Sequence, residues 1–143
     1  MPSNFRLKVM NAAHRALLKI SFGKLGDRIA GMPSLELTTI GRKSGRPHSV
    51  MLTAPIIDGD TYVVVASRGG DHIHPAWFLN VRDNPDVVVS VRSGPKVPMT
   101  ARVATAEERA TLWPRVTSAY SGYAGYQEKT TREIPLVLLT PKN

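Results

Sequence analysis

Six short segments in the middle and at the end of the chain have the apolar and polar pattern of β-strands. In residues 47–57, for example, Val50 and Leu52 alternate with more polar neighbours, and a period of two is typical of a strand. Residues 62–66 are apolar on both faces, which predicts a central, buried strand. The predicted strands are 35–40, 47–57, 62–66, 86–92, 96–104 and 134–140.

Residues 5–22 have a helical pattern instead. Met10, Ala13, Leu17 and Ile20 step by three or four and form one apolar stripe, and Gly23 is a plausible end. Glycines and a proline then predict a loop over 23–33.

Two further helices are predicted between the strands. Pro75 suits the first position of a short helix that the Asn84-Pro85 step closes. Thr105 and Glu108 have the spacing of a capping box, which predicts the start of another helix. Pro114 should kink or split that helix. Residues 121–126 contain two glycines and two tyrosines and are predicted to form a flexible loop.

This order of elements predicts the fold class. Many strands, short hairpins and few helices favour a mainly β (α+β) fold, a small antiparallel barrel rather than a doubly wound sheet. The length of 143 residues suits one globular body. We divide it into residues 1–34, an N-terminal amphipathic helix and loop, and residues 35–143, the barrel.

Composition narrows the chemistry. The chain has no cysteine, which excludes disulfides and thiolate metal sites and is consistent with a cytoplasmic location. No apolar stretch approaches the roughly 20 residues of a membrane helix. Basic residues interrupt the N-terminus, so we expect no signal peptide.

The net charge of +8 is unevenly distributed. Residues 1–48 contain nine Lys or Arg and only two acidic residues. Such a basic half indicates an anionic partner: nucleic acid, anionic lipid, or a ligand with phosphate and carboxylate groups. A solvated basic surface is the alternative explanation.

The basic turn Gly41–His48 is the first candidate site. Glycines 41 and 45 allow a tight turn whose N–H groups point into a concavity, and the residues between them add two cations and a hydroxyl. This chemistry suits a phosphate, although the order of residues is not that of a Walker loop. An exposed, charged hairpin tip is the alternative.

The second candidate site follows the buried strand. Val65 and Ala66 lead into Ser67, Arg68 and two glycines, where a planar ligand could approach the backbone closely. An ordinary exit from a strand would have the same composition. His72 and His74 nearby have no acidic or cysteine partner at ligand spacing, so we predict no metal site.

Three tyrosines form the third candidate site. Tyr120, Tyr123 and Tyr126 are spaced by three around two glycines. On a mobile loop they could close over a ligand and offer a phenol proton. A packed aromatic cluster is the alternative. Since no serine–histidine–acid arrangement or carboxylate pair stands out, the chain is expected to hold a cofactor that brings its own reactivity.

Taken together, these motifs resemble the deazaflavin-dependent nitroreductase family of actinobacteria. The resemblance covers about residues 35–141, and the pieces occur in the family's order and spacing. The segments that carry it are Leu37–Gly45, Val64–Gly70, Pro75–Asn80, Asn84-Pro85, Ala106–Arg109, Trp113-Pro114, the three tyrosines and Arg132–Pro135.

The resemblance implies a six-stranded split β-barrel like that of flavin reductases and pyridoxamine-phosphate oxidases. It also implies that the protein is an oxidoreductase. Reduced coenzyme F420, whose tail carries a phosphate and glutamates, would transfer a hydride to a small electron-poor acceptor. Acceptors in the family are quinones, nitroaromatics or activated carbon–carbon double bonds in unsaturated lactones.

The resemblance also implies site residues. The coenzyme would meet Arg42, Lys43, Ser44, Gly45, Arg46, Pro47, His48, Val65, Ala66, Ser67, Arg68, Ala76, Trp77, Phe78 and Asn80. The acceptor would meet Tyr120, Tyr123 and Tyr126, and Ser67 and Tyr123 are the candidate catalytic residues. His48 and Arg68 replace an arginine and a lysine of some relatives, and both changes keep a polar or basic group.

Other interpretations remain open at this point. A reductase of the same fold could use flavin mononucleotide, although the basic stretch argues against it. A non-enzymatic module could bind nucleic acid, but aromatics are not interleaved with its positive residues, and we expect no nucleic-acid partner. Helix 5–22 could touch a membrane surface, which leaves a membrane-associated location open. The chain could be a monomer or a homodimer.

Overall fold

A computed structural model describes the backbone of residues 28–29 and the whole of residues 32–142. The predicted helix 5–22 and most of the predicted loop 23–33 lie outside these residues. The end of that loop prediction was wrong, since residues 28–29 and 32–33 are paired in strands.

The described residues form eight strands and three α-helices. The strands are β1 (Arg28–Ile29), β2 (Met32–Ile40), β3 (Pro47–Thr53), β4 (Ile56–Asp58), β5 (Thr61–Val65), β6 (Asp86–Val91), β7 (Lys96–Val103) and β8 (Leu136–Pro141). The helices are α1 (Ala76–Asp83), α2 (Ala106–Ala119) and α3 (Gly122–Glu128). A short 3-10 turn covers Arg68–Gly70. None of the helices described here is long and apolar enough to cross a membrane.

All strand pairs are antiparallel. The sheet runs β1-β2-β6-β7-β8-β5-β4, and β3 pairs with the other side of β2. The mainly β fold is therefore confirmed. The described residues contain eight strands, of which six have five or more residues, so the six-stranded barrel stays a prediction. The path of hydrogen-bonded strands also does not return from β4 to β3, so the described strands form no closed ring.

The predicted strand 47–57 is divided into β3 and β4. The break falls at Ala54-Pro55, where proline has no N–H for the ladder. The N–H of Ala54 donates to the carbonyl of Pro33 at 2.9 Å instead. The hairpin predicted at Asp58-Gly59 is confirmed, since Asp58 pairs with Thr61 and Gly59 has a φ of 63°.

Two apolar clusters form the core. The larger lies between the sheet and α1 and includes Leu35, Val64, Phe78 and Leu139. The smaller lies beneath α2 and α3 and includes Val65, Val116, Tyr123 and Ile134. Strand β5 contributes to both clusters, as expected of the buried central strand. Its last residues are therefore held from two sides.

The predicted capping box is present at the start of α2. The Thr105 hydroxyl accepts from the Glu108 N–H, and the Glu108 carboxylate accepts from the Thr105 N–H. Pro114 lies inside α2, which continues past it to Ala119, so the helix is not split there; the alternative, a kink, stays a prediction. The hydroxyl of Thr117 donates to the carbonyls of Trp113 and Pro114 within the same helix.

The segment predicted as a flexible loop, 121–126, forms most of helix α3. Tyr123 is buried in the smaller cluster, and its burial is what the tyrosine and glycine pattern failed to indicate. Packing against Val116 and Ile134 overrides the weak helix propensity of the two glycines.

Candidate active site

The basic turn Gly41–His48 joins β2 to β3 and is closed by two backbone hydrogen bonds. Gly41 N–H donates to the Arg46 carbonyl at 2.8 Å, and Gly45 N–H donates to the Gly41 carbonyl at 2.9 Å. Gly45 has a φ of 70°, which favours glycine. A Cβ on Gly41 would lie 2.6 Å from the Ser44 hydroxyl oxygen and 2.7 Å from His48 Nε2, so these two side chains would have to move.

The side chains of this turn present cations to solvent. Arg42, Lys43 and Arg46 are exposed, and within residues 32–142 none of them forms an ion pair. The Ser44 hydroxyl accepts from the Arg46 N–H at 3.1 Å and lies 3.1 Å from His48 Nε2. Three unpaired cations on one rigid turn suit an anionic ligand.

Asn80 of α1 ties the basic turn to the body of the protein. Its Oδ1 accepts from the backbone N–H of Arg42 at 3.2 Å and from the Arg42 guanidinium at 3.3 Å. Its Nδ2 donates to the buried Thr39 hydroxyl at 3.0 Å. The amide of Asn80 is itself buried. It therefore fixes where the cations stand relative to α1.

The end of β5 leads into the second predicted segment. Val65 and Ala66 are buried, and Ser67 and Arg68 are partly exposed. The guanidinium of Arg68 pairs with the Asp71 carboxylate at 2.7 Å, and both side chains are largely covered. Arg68 therefore meets an acidic residue that the sequence analysis did not single out. Its φ of 47° lies in the left-handed region, which is costly for a residue with a Cβ.

Arg132 holds the same segment from the other side. Its guanidinium donates to the carbonyls of Ala66, Ser67 and Asp71 and to the ring of His74. Burial lowers the pKa of His74, and the charges of Arg132 and Arg82 add to the effect. A neutral His74 ring can accept the hydrogen bond from Arg132.

The predicted residues of α1 divide into buried and exposed ones. Trp77 and Phe78 are almost fully buried and belong to the larger core cluster, whereas Ala76 is exposed. The rings of Trp77 and Phe78 meet edge to face, with centroids 6.3 Å apart. Their side chains therefore brace α1 beneath the candidate site.

The three tyrosines lie together around the start of α3. Ring centroids are 5.2 Å apart for Tyr120 and Tyr123, 6.1 Å for Tyr123 and Tyr126, and 6.5 Å for Tyr120 and Tyr126. Tyr123 is the buried member, and its phenol is hydrogen-bonded to the Thr53 hydroxyl at 2.8 Å. Burial raises the pKa of Tyr123 to about 12, so its phenol stays protonated at neutral pH. Tyr120 and Tyr126 are partly exposed.

The segment Ser67–Gly70 packs directly against helix α3 (Gly122–Glu128), which we call the tyrosine helix. A Cβ on Gly70 would lie 2.8 Å from the Tyr126 carbonyl oxygen and 3.0 Å from its Cα. Only a glycine allows this approach, and the φ of 85° at Gly70 favours glycine as well. The fold thus brings the exit from β5 beside α3, two regions more than 50 residues apart in the sequence.

Two concavities occur elsewhere on the described surface. One, of about 370 Å³, is lined by Met32, Pro33, Ala54, Pro55, Ile57, Arg92 and Ala119. The other, of about 250 Å³, is lined mainly by apolar residues of β5, β6 and β7. Neither contains a predicted site residue. We give the basic turn more weight, since an exposed cationic turn can bind an anionic tail without an enclosed cavity.

Residues 32–142 contain no group of three side chains suited to holding a metal ion. Asp71, Thr53 and Arg132 take part in the candidate site although sequence analysis gave them no role. Arg132 occurred only inside a resembling motif. Its partners lie 58 to 66 residues away in the chain, so local patterns carry no signal for them.

The arrangement of strands is shared with solved structures of distant sequence. A protein of the pyridoxinephosphate oxidase family from Clostridium acetobutylicum superimposes with a TM-score of 0.53 at 10% identity, covering 90% of this chain and 84% of that one. At this identity the likeness shows the fold alone.

Closer comparisons define the family. A family model described as F420H(2)-dependent quinone reductase matches residues 11–141. An F420H(2)-dependent quinone reductase of Mycobacterium tuberculosis is 41% identical over 132 residues, which cover 89% of this chain and 87% of the relative. The chain belongs to the F420H(2)-dependent quinone reductase family, which is a family of oxidoreductases.

Two solved structures of higher identity agree with this assignment. An F420-H2 dependent reductase (FDR-A) has a TM-score of 0.66 at 42% identity and covers 75% of this chain and 93% of its own. A chain described as a domain-swapped dimer has a TM-score of 0.68 at 36% identity, covering 90% of this chain and 96% of its own.

Proposed function

We propose that this protein binds reduced coenzyme F420 across the basic turn and the exit from β5, and reduces a quinone or another electron-poor acceptor there. The observation that carries the proposal is the close packing of the Ser67–Gly70 segment against the tyrosine helix. This packing puts a proposed coenzyme surface beside a proposed acceptor surface. Membership of the family supplies the coenzyme.

The residues of the basic turn fit the coenzyme's anionic tail. The tail carries a phosphate and carboxylates, and the turn offers Arg42, Lys43 and Arg46 without ion-pair partners among the described residues. A charge-assisted contact is about twice as strong as a neutral one. The proposed binding surface for the tail also includes Gly45, Pro47 and the hydrogen-bonded pair Ser44 and His48. Asn80 contributes by holding the Arg42 backbone in place.

The segment after β5 would line the deazaflavin. When bound, the reduced coenzyme supplies a hydride. The protein has to hold the acceptor close to the donating carbon and exclude water. Val65 and Ala66 offer a buried strand end. The exposed Ala76 would close the site from α1, and the buried Trp77 and Phe78 would support it from beneath. The half-buried Ser67 hydroxyl is a donor for oxygen on which negative charge develops.

The tyrosines would form the acceptor side. Tyr120 and Tyr126 are partly exposed and offer ring surface to a planar molecule. Tyr123 remains our candidate proton source, and it would act by turning its phenol from Thr53 toward the acceptor. The phenol is protonated at neutral pH, and its raised pKa means that it gives up the proton less readily than a free tyrosine does. The Tyr123–Thr53 bond also supports a second role, in which Tyr123 holds the other two rings in place.

A titration with two coenzymes tests the proposal. F420 should bind more tightly than flavin mononucleotide, since both carry a phosphate but only the F420 tail adds carboxylates that match the further cations of the turn. Reduced F420 should then be oxidised when a quinone, a nitroaromatic or an unsaturated lactone is added. Equal affinities would favour the flavin mononucleotide alternative. Tight F420 binding with no oxidation by any acceptor would argue for a binding protein instead.

The finer description of the fold is also a proposal. We infer a split barrel on the six longer strands, β2, β3, β5, β6, β7 and β8, each with at least five residues. The likeness to a pyridoxinephosphate oxidase family fold supports this inference.

We also infer that the protein forms a homodimer and is located in the cytoplasm. The domain-swapped relative at 36% identity supports the homodimer over the monomer. The absence of cysteine supports the cytoplasm. Sedimentation of the purified protein would distinguish monomer from dimer.

A further inference from the structure

The guanidinium of Arg132 is the centre of a hydrogen-bond network that the sequence did not predict. Nε donates to the Asp71 carbonyl at 2.9 Å, and Nη2 donates to the carbonyls of Ala66 at 3.2 Å and Ser67 at 2.8 Å. Nη1 lies 3.2 Å from His74 Nδ1. One side chain therefore fastens four points of the segment Ala66–His74, which we call the exit segment.

The exit segment needs such support because its backbone is strained at Arg68, whose φ of 47° is costly for a residue with a Cβ. Gly69 and Gly70 follow with φ values of 65° and 85°, which glycine adopts readily. Within the segment, the Gly70 N–H donates to the Ser67 carbonyl and the Asp71 N–H donates to the Arg68 carbonyl. The Ala66 N–H donates to the Pro135 carbonyl, and the His72 N–H donates to the Asp71 carboxylate. A sparsely populated conformation persists only where the surroundings determine it more than once.

Arg132 is itself held firmly. The Gln127 amide donates to the Arg132 carbonyl at 2.7 Å, and the Arg132 N–H donates to the Thr130 hydroxyl at 3.3 Å. Gln127 is in α3, the tyrosine helix, so this contact links the exit segment to the proposed acceptor side. Strand β8 begins four residues after Arg132 and adds a rigid base.

We propose that Arg132 is the positioning residue of the coenzyme site, holding the carbonyls of Ala66 and Ser67 so that Ser67 and the end of β5 keep the shape that the deazaflavin meets. This role rests on the proposed function. Arg132 acts through the exit segment and touches neither coenzyme nor acceptor. A lysine could not replace it fully, because an ammonium has three donors on one atom and cannot reach four separated acceptors.

Arg109 provides a matched control. It is also a largely covered arginine that donates to backbone, from Nε to the Ile134 carbonyl at 3.0 Å. It contacts Gln127 at 3.1 Å and stacks on Trp113 at 4.4 Å. It makes no hydrogen bond to the exit segment. Loss of Arg109 therefore removes a comparable amount of packing and hydrogen bonding from the same side of the protein.

The test compares Arg132→Met, Arg132→Lys and Arg109→Met with the wild type. Three quantities are measured on each: the F420 dissociation constant, the thermal midpoint, and amide hydrogen exchange at Gly70 and Asp71. Amide exchange measures how stably the hydrogen bonds of the exit segment are formed, and it can be measured without any coenzyme. We expect Arg132→Met to weaken F420 binding about tenfold to a hundredfold, because coenzyme binding must then order the exit segment that the lost charge-assisted hydrogen bonds held in place.

The pattern across variants decides the proposal. Arg132→Met should speed exchange at Gly70 and Asp71, and Arg132→Lys should restore part of the affinity. Arg109→Met should lower the thermal midpoint by a similar amount and leave coenzyme binding near the wild type. Wild-type affinity in Arg132→Met, or equal losses in Arg109→Met, would overturn the positioning role and leave the proposed function standing. A wild-type protein that binds no F420 would defeat the proposed function and this role with it.

Discussion

At the scale of single residues, the cations of the basic turn carry the first prediction. Lys43 is exposed and makes no ion pair within residues 32–142, so its removal breaks no described contact. Lys43→Ala should weaken F420 binding by about 1.5 kcal/mol, the lower end for an exposed charge-assisted contact. That is about tenfold in the dissociation constant. A fluorescence titration at low salt measures the change.

Lys96→Ala is the control for Lys43→Ala. Lys96 is an exposed lysine at the start of β7, and its loss changes the net charge equally. It should leave F420 binding within twofold of the wild type, and neither variant should change the maximal turnover much. Equal weakening by both variants would point to overall charge rather than to the turn.

The buried phenol of Tyr123 carries the second prediction, which concerns alkaline pH. Its pKa is raised from 10.0 to about 12 in the folded protein, chiefly by burial. The stability from the protonated phenol is fully present below pH 10 and is lost as pH rises through about 12. The wild type should therefore lose stability between these values more steeply than Tyr123→Phe. Urea unfolding at pH 8 and pH 11 measures the difference.

Tyr123→Phe also separates the two roles proposed for Tyr123. The ring remains, so stacking among the tyrosines is kept while the bond to the Thr53 hydroxyl is lost. A fall in turnover with unchanged acceptor KM would indicate a proton source. Unchanged turnover with only reduced stability would assign Tyr123 to the core. Identical pH dependence in both proteins would contradict the burial of the phenol.

The turn at Gly41–His48 was predictable from the sequence, whereas the partners of its neighbouring side chains were not. Gly41 and Gly45 predict the turn, and binding of an anion by the cations between them stays a prediction. The pairing of Arg68 with Asp71 depends on a left-handed backbone at Arg68 that no pattern indicates. The role of Arg132 depends on contacts more than 55 residues away in the chain.

At the scale of elements, the contact of the exit segment with α3 carries the third prediction. Gly70→Ala would put a Cβ 2.8 Å from the Tyr126 carbonyl in addition to a φ of 85°. Gly59→Ala is the matched control, because its φ is 63° and no atom lies within 4 Å. The control should cost about 1–2 kcal/mol for the left-handed backbone alone. Gly70→Ala should cost more, measured by urea unfolding.

The same pair of variants also tests the link to function. Displacement of α3 moves Tyr126 and its neighbours, so Gly70→Ala should raise the acceptor KM, whereas Gly59→Ala should not. If Gly70→Ala and Gly59→Ala have equal free energies of unfolding, α3 can shift away from the added methyl group at no cost. The close packing at Gly70 would then not support the proposed function.

Strands were easier to predict than the tyrosine helix. Alternation and turn residues located β2, β5, β6, β7 and β8 to within a few residues of their ends. The helix α3 was missed because Gly122 and Gly125 have low helix propensity. Its stability comes from burying Tyr123 against Val116 and Ile134, which lie outside α3. The break between β3 and β4 could have been read from Pro55, which interrupts a ladder.

At the scale of the whole molecule, charge is segregated along the chain. Residues 1–48 carry nine Lys or Arg and two acidic residues, whereas residues 49–143 carry ten and nine. The excess positive charge therefore belongs to the first 48 residues, the third of the chain that contains the basic turn. A field of this kind concentrates anionic ligands and is screened by salt, with a Debye length of about 10 Å at 0.1 M.

Salt should therefore weaken coenzyme binding and leave the acceptor unaffected. Between 0.05 and 0.5 M salt (roughly the range over which screening lengths halve or more), the F420 dissociation constant should rise severalfold. The KM of a neutral quinone should stay constant, because the tyrosine rings bind it without charge. Lys43→Ala should show a shallower salt dependence than Lys96→Ala, since only Lys43 lies on the turn.

Duplex DNA serves as a competitor under the same conditions. A nucleic-acid-binding module would bind it with a steep salt dependence and release F420 in proportion. If DNA displaces the coenzyme at low micromolar concentration while no quinone oxidises reduced F420, the basic half serves nucleic acid rather than a coenzyme.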